Sequence, residues 1–210
     1  MIKKIVLMLS FFVIAAESMA QVQAVTSNGD EVILYNDGTW KYVKKSEPAE
    51  KIDTNKIAFL KSKDASFLLK SNIAPVGVHL DPRKWSFKKS EKDDEPEYSL
   101  QLKGKDAYGM IMVERIEIPF ESLRNIALDN AKEASPDVKI VHEEYRNVNG
   151  IKVLCLQMDG SIQGVKFSYF GYYFSFEKGS VQFVTYTSQS LLSGYKQEME
   201  ELLNGFVVLQ

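Results

Sequence analysis

Three stretches of this chain are apolar on both of their alternating faces, and nothing else in the sequence constrains the fold as strongly. From Ile151 onward, Ile151, Val153 and Cys155 alternate with Leu154, Leu156 and Met158. From Tyr108, Met110 and Met112 alternate with Gly109, Ile111 and Val113. Further on, Phe167, Tyr169 and Tyr173 alternate with Phe170, Tyr172, Phe174 and Phe176. Successive side chains of a strand point to opposite faces, so such strands have no face to leave in water. Two amphipathic helices can supply cover. One opens at Pro119-Phe120-Glu121-Ser122, carries Leu123, Ile126, Ala127 and Ala134 on one stripe, and stops before Pro136. The other sets Tyr195, Met199, Leu202 and Leu203 on one side and ends at Asn204-Gly205 as a C-cap. The expectation is an α+β fold: a mainly antiparallel sheet covered by helices on both faces, an α/β/α sandwich, with a small N-terminal β-meander.

The remaining strands read more simply. Val76 to Leu80 is a short strand ending at Asp81-Pro82, and Trp85-Ser86-Phe87 resumes extended structure. Tyr98 to Lys103 alternates with period two, and Ala107 to Ile118 reads as one long strand. Val138 to Val148 turns at Asn149-Gly150 into the strand from Ile151. Val165 to Phe176 and Val181 to Thr187 form a hairpin around Glu177-Lys178-Gly179-Ser180.

Ahead of this body lie three segments of different character. Residues 1–20 read as a signal peptide. Lys3 and Lys4 precede the apolar run Ile5 to Ala16, and Ser18-Met19-Ala20 places small residues at a cleavage site before Gln21. That run is shorter than the ~18–20 residues a spanning helix needs, and no later run is long enough. Residues 21–43 read as a three-stranded meander with turns at Ser27-Asn28-Gly29-Asp30 and Asn36-Asp37-Gly38. Trp40 and Tyr42 fall on one face of its last strand. Three strands barely bury a core, so this piece needs something to lean on. Residues 44–56, with four lysines, three acids and Pro48, read as a linker. Residues 57–210 form the main domain.

Composition excludes several functions. A net charge of −2 argues against nucleic acid as a partner. The single cysteine rules out an internal disulfide framework and a CxxC zinc site. Cys155 stands among Val153, Leu154, Leu156 and Met158, the setting of a buried hydrophobe rather than a reactive thiolate. His79 and Asp81 lack a visible third metal ligand. His142, Glu143 and Glu144 read as solvated groups on a polar strand. The same holds for Asp93, Asp94, Glu95 and Glu97 in their loop, which has no EF-hand spacing. Ser86-x-x-Lys89 and Ser193-x-x-Lys196 lack the companion motifs of penicillin-binding enzymes. No phosphate-binding glycine pattern occurs. No residue is assigned a catalytic, cofactor-binding or metal-binding role.

With these elements in order, residues 67–206 resemble the PsbP-like fold superfamily, including its DcrB-like bacterial periplasmic members. The resemblance rests on Asp81-Pro82-Arg83-Lys84-Trp85 after a short strand, the helix at Ser122-Leu123, and Val148-Asn149-Gly150. The aromatic strand into Glu177–Ser180 and the ending Glu201-Leu202-Leu203-Asn204-Gly205-Phe206 complete it. The segment from Val32 to Val43, with its D-G-T-W turn, resembles a short module of exported Bacteroidetes-type proteins. The superfamily resemblance implies an α/β/α sandwich and roles in binding or assembly rather than catalysis. It carries no site across, because the metal-linked histidines of the photosystem member have no counterparts in His79 and His142.

The functional expectation is an exported, periplasmic binding or accessory module without enzymatic activity or cofactor. Its partner would be an envelope protein or a small ligand. The alternatives are an envelope-associated structural protein, or a hydrolase whose site residues are dispersed along the chain.

Overall fold

The computed structural model describes residues 21–26, 31–43, 52–92 and 95–209. The expected signal peptide, the Ser27–Asp30 turn, residues 44–51 of the linker and the Asp93-Asp94 pair lie outside the described residues.

Strands β1 (Gln21–Val25), β2 (Glu31–Tyr35) and β3 (Trp40–Tyr42) pair antiparallel as the N-terminal meander. Gly38, at φ +81°, makes the turn between the last two. The main body continues with β4 (Thr54–Phe59), β5 (Phe67–Lys70), β6 (Val76–Leu80), β7 (Trp85–Lys89), β8 (Tyr98–Leu102) and β9 (Ala107–Glu114). Helix α1 (Phe120–Ala134) follows, then β10 (Lys139–Val148), β11 (Ile151–Ile162), β12 (Val165–Phe176) and β13 (Gly179–Ser188). Helix α2 (Gln189–Leu203) and β14 (Phe206–Val208) close the chain. The large sheet has the order β4-β10-β11-β12-β13-β9-β8-β7, and a small sheet has the order β14-β6-β5. The protein is α+β and dominated by strands.

The strands that are greasy on both faces lie at the centre of the large sheet. Residues of β11 divide alternately between two cores. Val153 and Cys155 join Phe170, Tyr172, Phe183 and the α2 residues Met199, Leu202 and Leu203. Leu154, Leu156 and Met158 join Tyr173, Val184 and the α1 residues Leu123 and Ala127. Each fully buried large side chain contributes about 1.5–3 kcal/mol. The first core extends into the small sheet through Val76, Val78 and Leu80.

The sequence expectation needs four amendments. Thr54, Asn55 and Lys56, expected in the linker, begin β4. This strand pairs parallel with β10 and makes the sheet mixed. The strand expected to reach Ile118 stops at Glu114, because its partner β13 begins at Gly179 and the ladder runs out at Ser180 opposite Glu114. The small sheet was not foreseen, since three- and four-residue strands show no readable period. Gly205 follows the helix as expected but without a positive φ. Only a glycine fits there, because a Cβ would collide with the His79 carbonyl oxygen.

Asn149 ties the pieces together. It holds φ +51° in the β10–β11 turn. Its amide donates to the carbonyls of Asn204 and Phe206, each at 2.8 Å, and its side-chain oxygen accepts from the Lys61 N–H at 3.0 Å. The ends of α2 and β14, and the chain leaving β4, are thereby pinned to one turn.

Candidate functional site

Two regions of the molecule concentrate charge away from water. The first surrounds Arg146 on β10, which is 8% exposed. Its guanidinium donates to Glu144 of the same strand, to Glu200 of α2 and to the Tyr172 hydroxyl of β12. The same group lies 4.3 Å from the centroid of the Phe59 ring on β4. The Tyr172 hydroxyl donates in turn to the Asn204 side-chain oxygen at 2.7 Å. Burial alone would raise the Glu144 carboxyl, but the hydrogen bond and charge of Arg146, helped by Asn55, bring it below its ordinary value. One guanidinium serves both carboxylates of this cluster. The arrangement fastens β4, β10, β12 and α2 to one another and presents no free nucleophile or base.

The residues weighed from sequence fall around this cluster without forming a catalytic constellation. Cys155 is buried, and burial pushes its thiol up to about 12. His142 is exposed, with Nε2 3.5 Å from Glu144. Glu143 and Glu144 are not the solvated groups expected. Glu143 is held by Arg124 of α1, and Glu144 by Arg146. Glu97 also departs from expectation. It is 7% exposed and accepts from the Ser71 hydroxyl at 2.6 Å and the Asn72 N–H at 2.7 Å. The turn before β6 needed an acceptor there. Glu95 does stay exposed, paired with Lys92. Asp81 is engaged by Arg83, which grips its carboxylate and holds it down to about 2. Ser86 donates to the Gln101 carbonyl, and Lys196 lies over the Phe170 ring, so neither S-x-x-K pair builds a site. Among the described residues, no group of three His, Cys, Asp or Glu converges on a metal-sized point.

Arg146 was missed in the sequence. The readable signal was an arginine two residues after Glu144 in a strand, and hence on the same face.

The second region lies where the meander meets α1. Cross-strand pairing puts Val22, Leu34 and Trp40 in one row, and Ala24, Val32 and Tyr42 in the next, all on one face. Val32 is buried, whereas Trp40 and Tyr42 are 53% and 56% exposed. Their rings meet edge to face with centroids 5.0 Å apart. Val22 and Leu34 are exposed beside them. A small sheet therefore shows water a contiguous apolar, aromatic end. At its other end, Val25, Glu31 and Val43 lie near Ile126 and Asp129 of α1. What it presents is an exposed apolar, aromatic face.

No protein-family model matches the chain, and no curated protein sequence does. Solved structures do. The cyanobacterial PsbP of Synechocystis superposes with a TM-score of 0.52 at 12% identity, over 68% of this chain and 91% of that one. A Pseudomonas aeruginosa protein of unknown function reaches 0.44 at 13% identity, over 69% of this chain and 96% of its own. LpqN of Mycobacterium tuberculosis, described as involved in cell envelope biogenesis, reaches 0.46 at 10% identity, over 69% and 90%. The two lower scores set no constraint on this chain. The first shows a shared fold: the main body folds as PsbP does. Among the described residues, no helix is long and apolar enough to cross a membrane.

Proposed function

We propose that this PsbP-like chain is an exported, periplasmic accessory module that binds another envelope protein and carries out no reaction of its own. The observation that carries the reading is the exposed Trp40–Tyr42 pair with Val22 and Leu34 beside it. Aromatic residues are enriched at protein interfaces, and a contiguous apolar patch on a small sheet marks a contact surface rather than a random surface residue. Export rests on residues 1–20, whose basic start, apolar run and small-residue site match a secretory leader. In this reading the main body is an α/β/α scaffold with α1 and α2 on opposite faces of the sheet. The alternate division of β11 residues between the two cores supports that arrangement.

The test uses the native envelope. The protein is expressed with its leader, and its intact mass is measured after export. Removal of residues 1–20 supports the reading, and retention of Met1 to Ala20 sinks it. The processed protein is then co-sedimented with envelopes from a strain lacking it. Trp40→Ala/Tyr42→Ala should lose most of the sedimented fraction while melting at the wild-type temperature. Equal sedimentation of wild type and variant would remove the aromatic end from the proposal.

A further inference from the structure

The meander and α1 enclose a cavity of about 160 Å³. Its apolar walls come from Val25, Val32 and Val43 of the meander and Ile126 of α1, and its acids are Glu31 and Asp129, the latter paired with Lys132 at 3.1 Å. Glu31 Oε1 is shut off from solvent and has no hydrogen-bond partner among the described residues. Burial raises the Glu31 carboxyl above its ordinary value. Asn125 favours its charge, while Asp129 and Glu121 oppose it. No lysine or arginine among the described residues lines this space. An ionised carboxylate withdrawn from water without a counter-charge is costly. Glu31 Oε1 therefore lacks a hydrogen-bond donor, and a donor that also carries positive charge would offset the carboxylate's charge.

We propose that this cavity is a binding site for a primary ammonium group carried on a short aliphatic chain. The ammonium would donate to Glu31 Oε1 in a charge-assisted bond, and its methylenes would lie along Val25, Val32 and Ile126. The size agrees, since a cavity of about 150 Å³ accepts a benzene-sized ligand. An anion would face two carboxylates. A neutral alcohol would leave the charge uncompensated, and a quaternary ammonium has no N–H to give Oε1. The site stands whether or not the aromatic end of the meander meets a protein.

The experiment is a titration of the processed chain, residues 21–210, with n-butylammonium, followed by NMR of the valine and isoleucine methyls. Saturable shifts should concentrate at Val25, Val32 and Ile126, and acidification that protonates Glu31 should weaken binding. Glu31→Gln should reduce affinity by about tenfold or more. Ile126→Phe keeps both acids but fills the space, and should abolish binding. The Trp40→Ala/Tyr42→Ala chain should bind as wild type does, so this result is separable from failure of the envelope contact. Peptide and free-amine sources are then distinguished by comparing an Nα-acetyl-lysine amide with 1,5-diaminopentane. A preference for either supports the ammonium site and names its source. The proposal is overturned if no saturable shift appears, if n-butanol binds equally well, or if Glu31→Gln binds unchanged. It is also overturned if binding emerges only after Lys44 and Lys45 are replaced, because the cavity's cation would then be the chain's own.

Discussion

Glu31 and Glu144 are both carboxylates drawn out of water, and burial pushes both in the same direction. They end on opposite sides of the ordinary value. Glu144 faces Arg146 and Asn55 and is lowered, whereas Glu31 faces Asn125, Asp129 and Glu121 and is raised. The difference lies in how many elements close around each group. Glu144 sits where β4, β10, β12 and α2 converge, and the fold itself delivers the guanidinium. Glu31 sits where a three-stranded meander abuts one helix, and that helix offers it further acids. The first region is complete within the chain. The second leaves one carboxylate oxygen without a partner among the described residues.

Removing Arg146 breaks the comparison most severely. Arg146→Ala leaves Glu144 and Glu200 without their cation, and should cost about 3–5 kcal/mol in chemical denaturation. Adding Glu144→Gln and Glu200→Gln to Arg146→Met should recover most of that loss. If the triple variant is no more stable than Arg146→Ala, unpaired charge is not the cause.

Cys155, which shares this region, gives a middle-sized effect. Cys155→Ser places a hydroxyl among apolar side chains and should cost about 1–3 kcal/mol. Cys155→Ala should cost less, since it leaves a small cavity but buries no polar group. Native protein should resist thiol reagents at neutral pH, because the thiol titrates at about 12. Rapid labelling of the folded protein would place Cys155 in a reactive setting and overturn the non-enzymatic reading.

The pH dependence sharpens the contrast at smaller amplitude. Glu144 is lowered in the fold, so its contribution is present above 4.5 and is lost as pH falls through its depressed value. Glu31 is raised, so its contribution is full below 4.5 and is lost as pH rises through its elevated value. Glu144→Gln should therefore destabilise at neutral pH and converge on wild type in acid. Glu31→Gln should show the smallest change, a slight rise in melting temperature at neutral pH that vanishes in acid. Parallel pH profiles for the two variants would erase the distinction between the regions.

Much of this architecture could be read in the residues beforehand. The alternation in Ile151–Met158 and Phe167–Phe176 sorted side chains between two cores as the structure does, because a strand's period of two leaves no freedom in which residues share a face. The helix boundaries at Pro119 and Pro136 were legible because proline and its neighbours restrict the backbone sharply. β4 was not legible. Thr54–Phe59 has four exposed or half-exposed polar and small residues, and it becomes a strand only because β10 offers an open edge. The candidate contact surface was half legible: Trp40 and Tyr42 could be placed on one face, but not their exposure. Glu31 was passed over, since nothing near it in the sequence indicates Ile126 or Asp129 across the cavity.

By itself the sequence determined the class of fold, the order of the central strands' faces, the helix limits and the absence of a disulfide framework. These follow from local rules: periodicity, backbone restriction and residue counts. The tertiary structure alone decided which charges are paired. Glu143 and Glu97 looked alike on paper, yet Glu143 found Arg124 on α1 and Glu97 found Ser71 in the turn before β6. Glu31 met other acids instead. A charge is costly or harmless according to what lies within a few ångströms of it, and that neighbourhood is assembled from residues far apart in the chain.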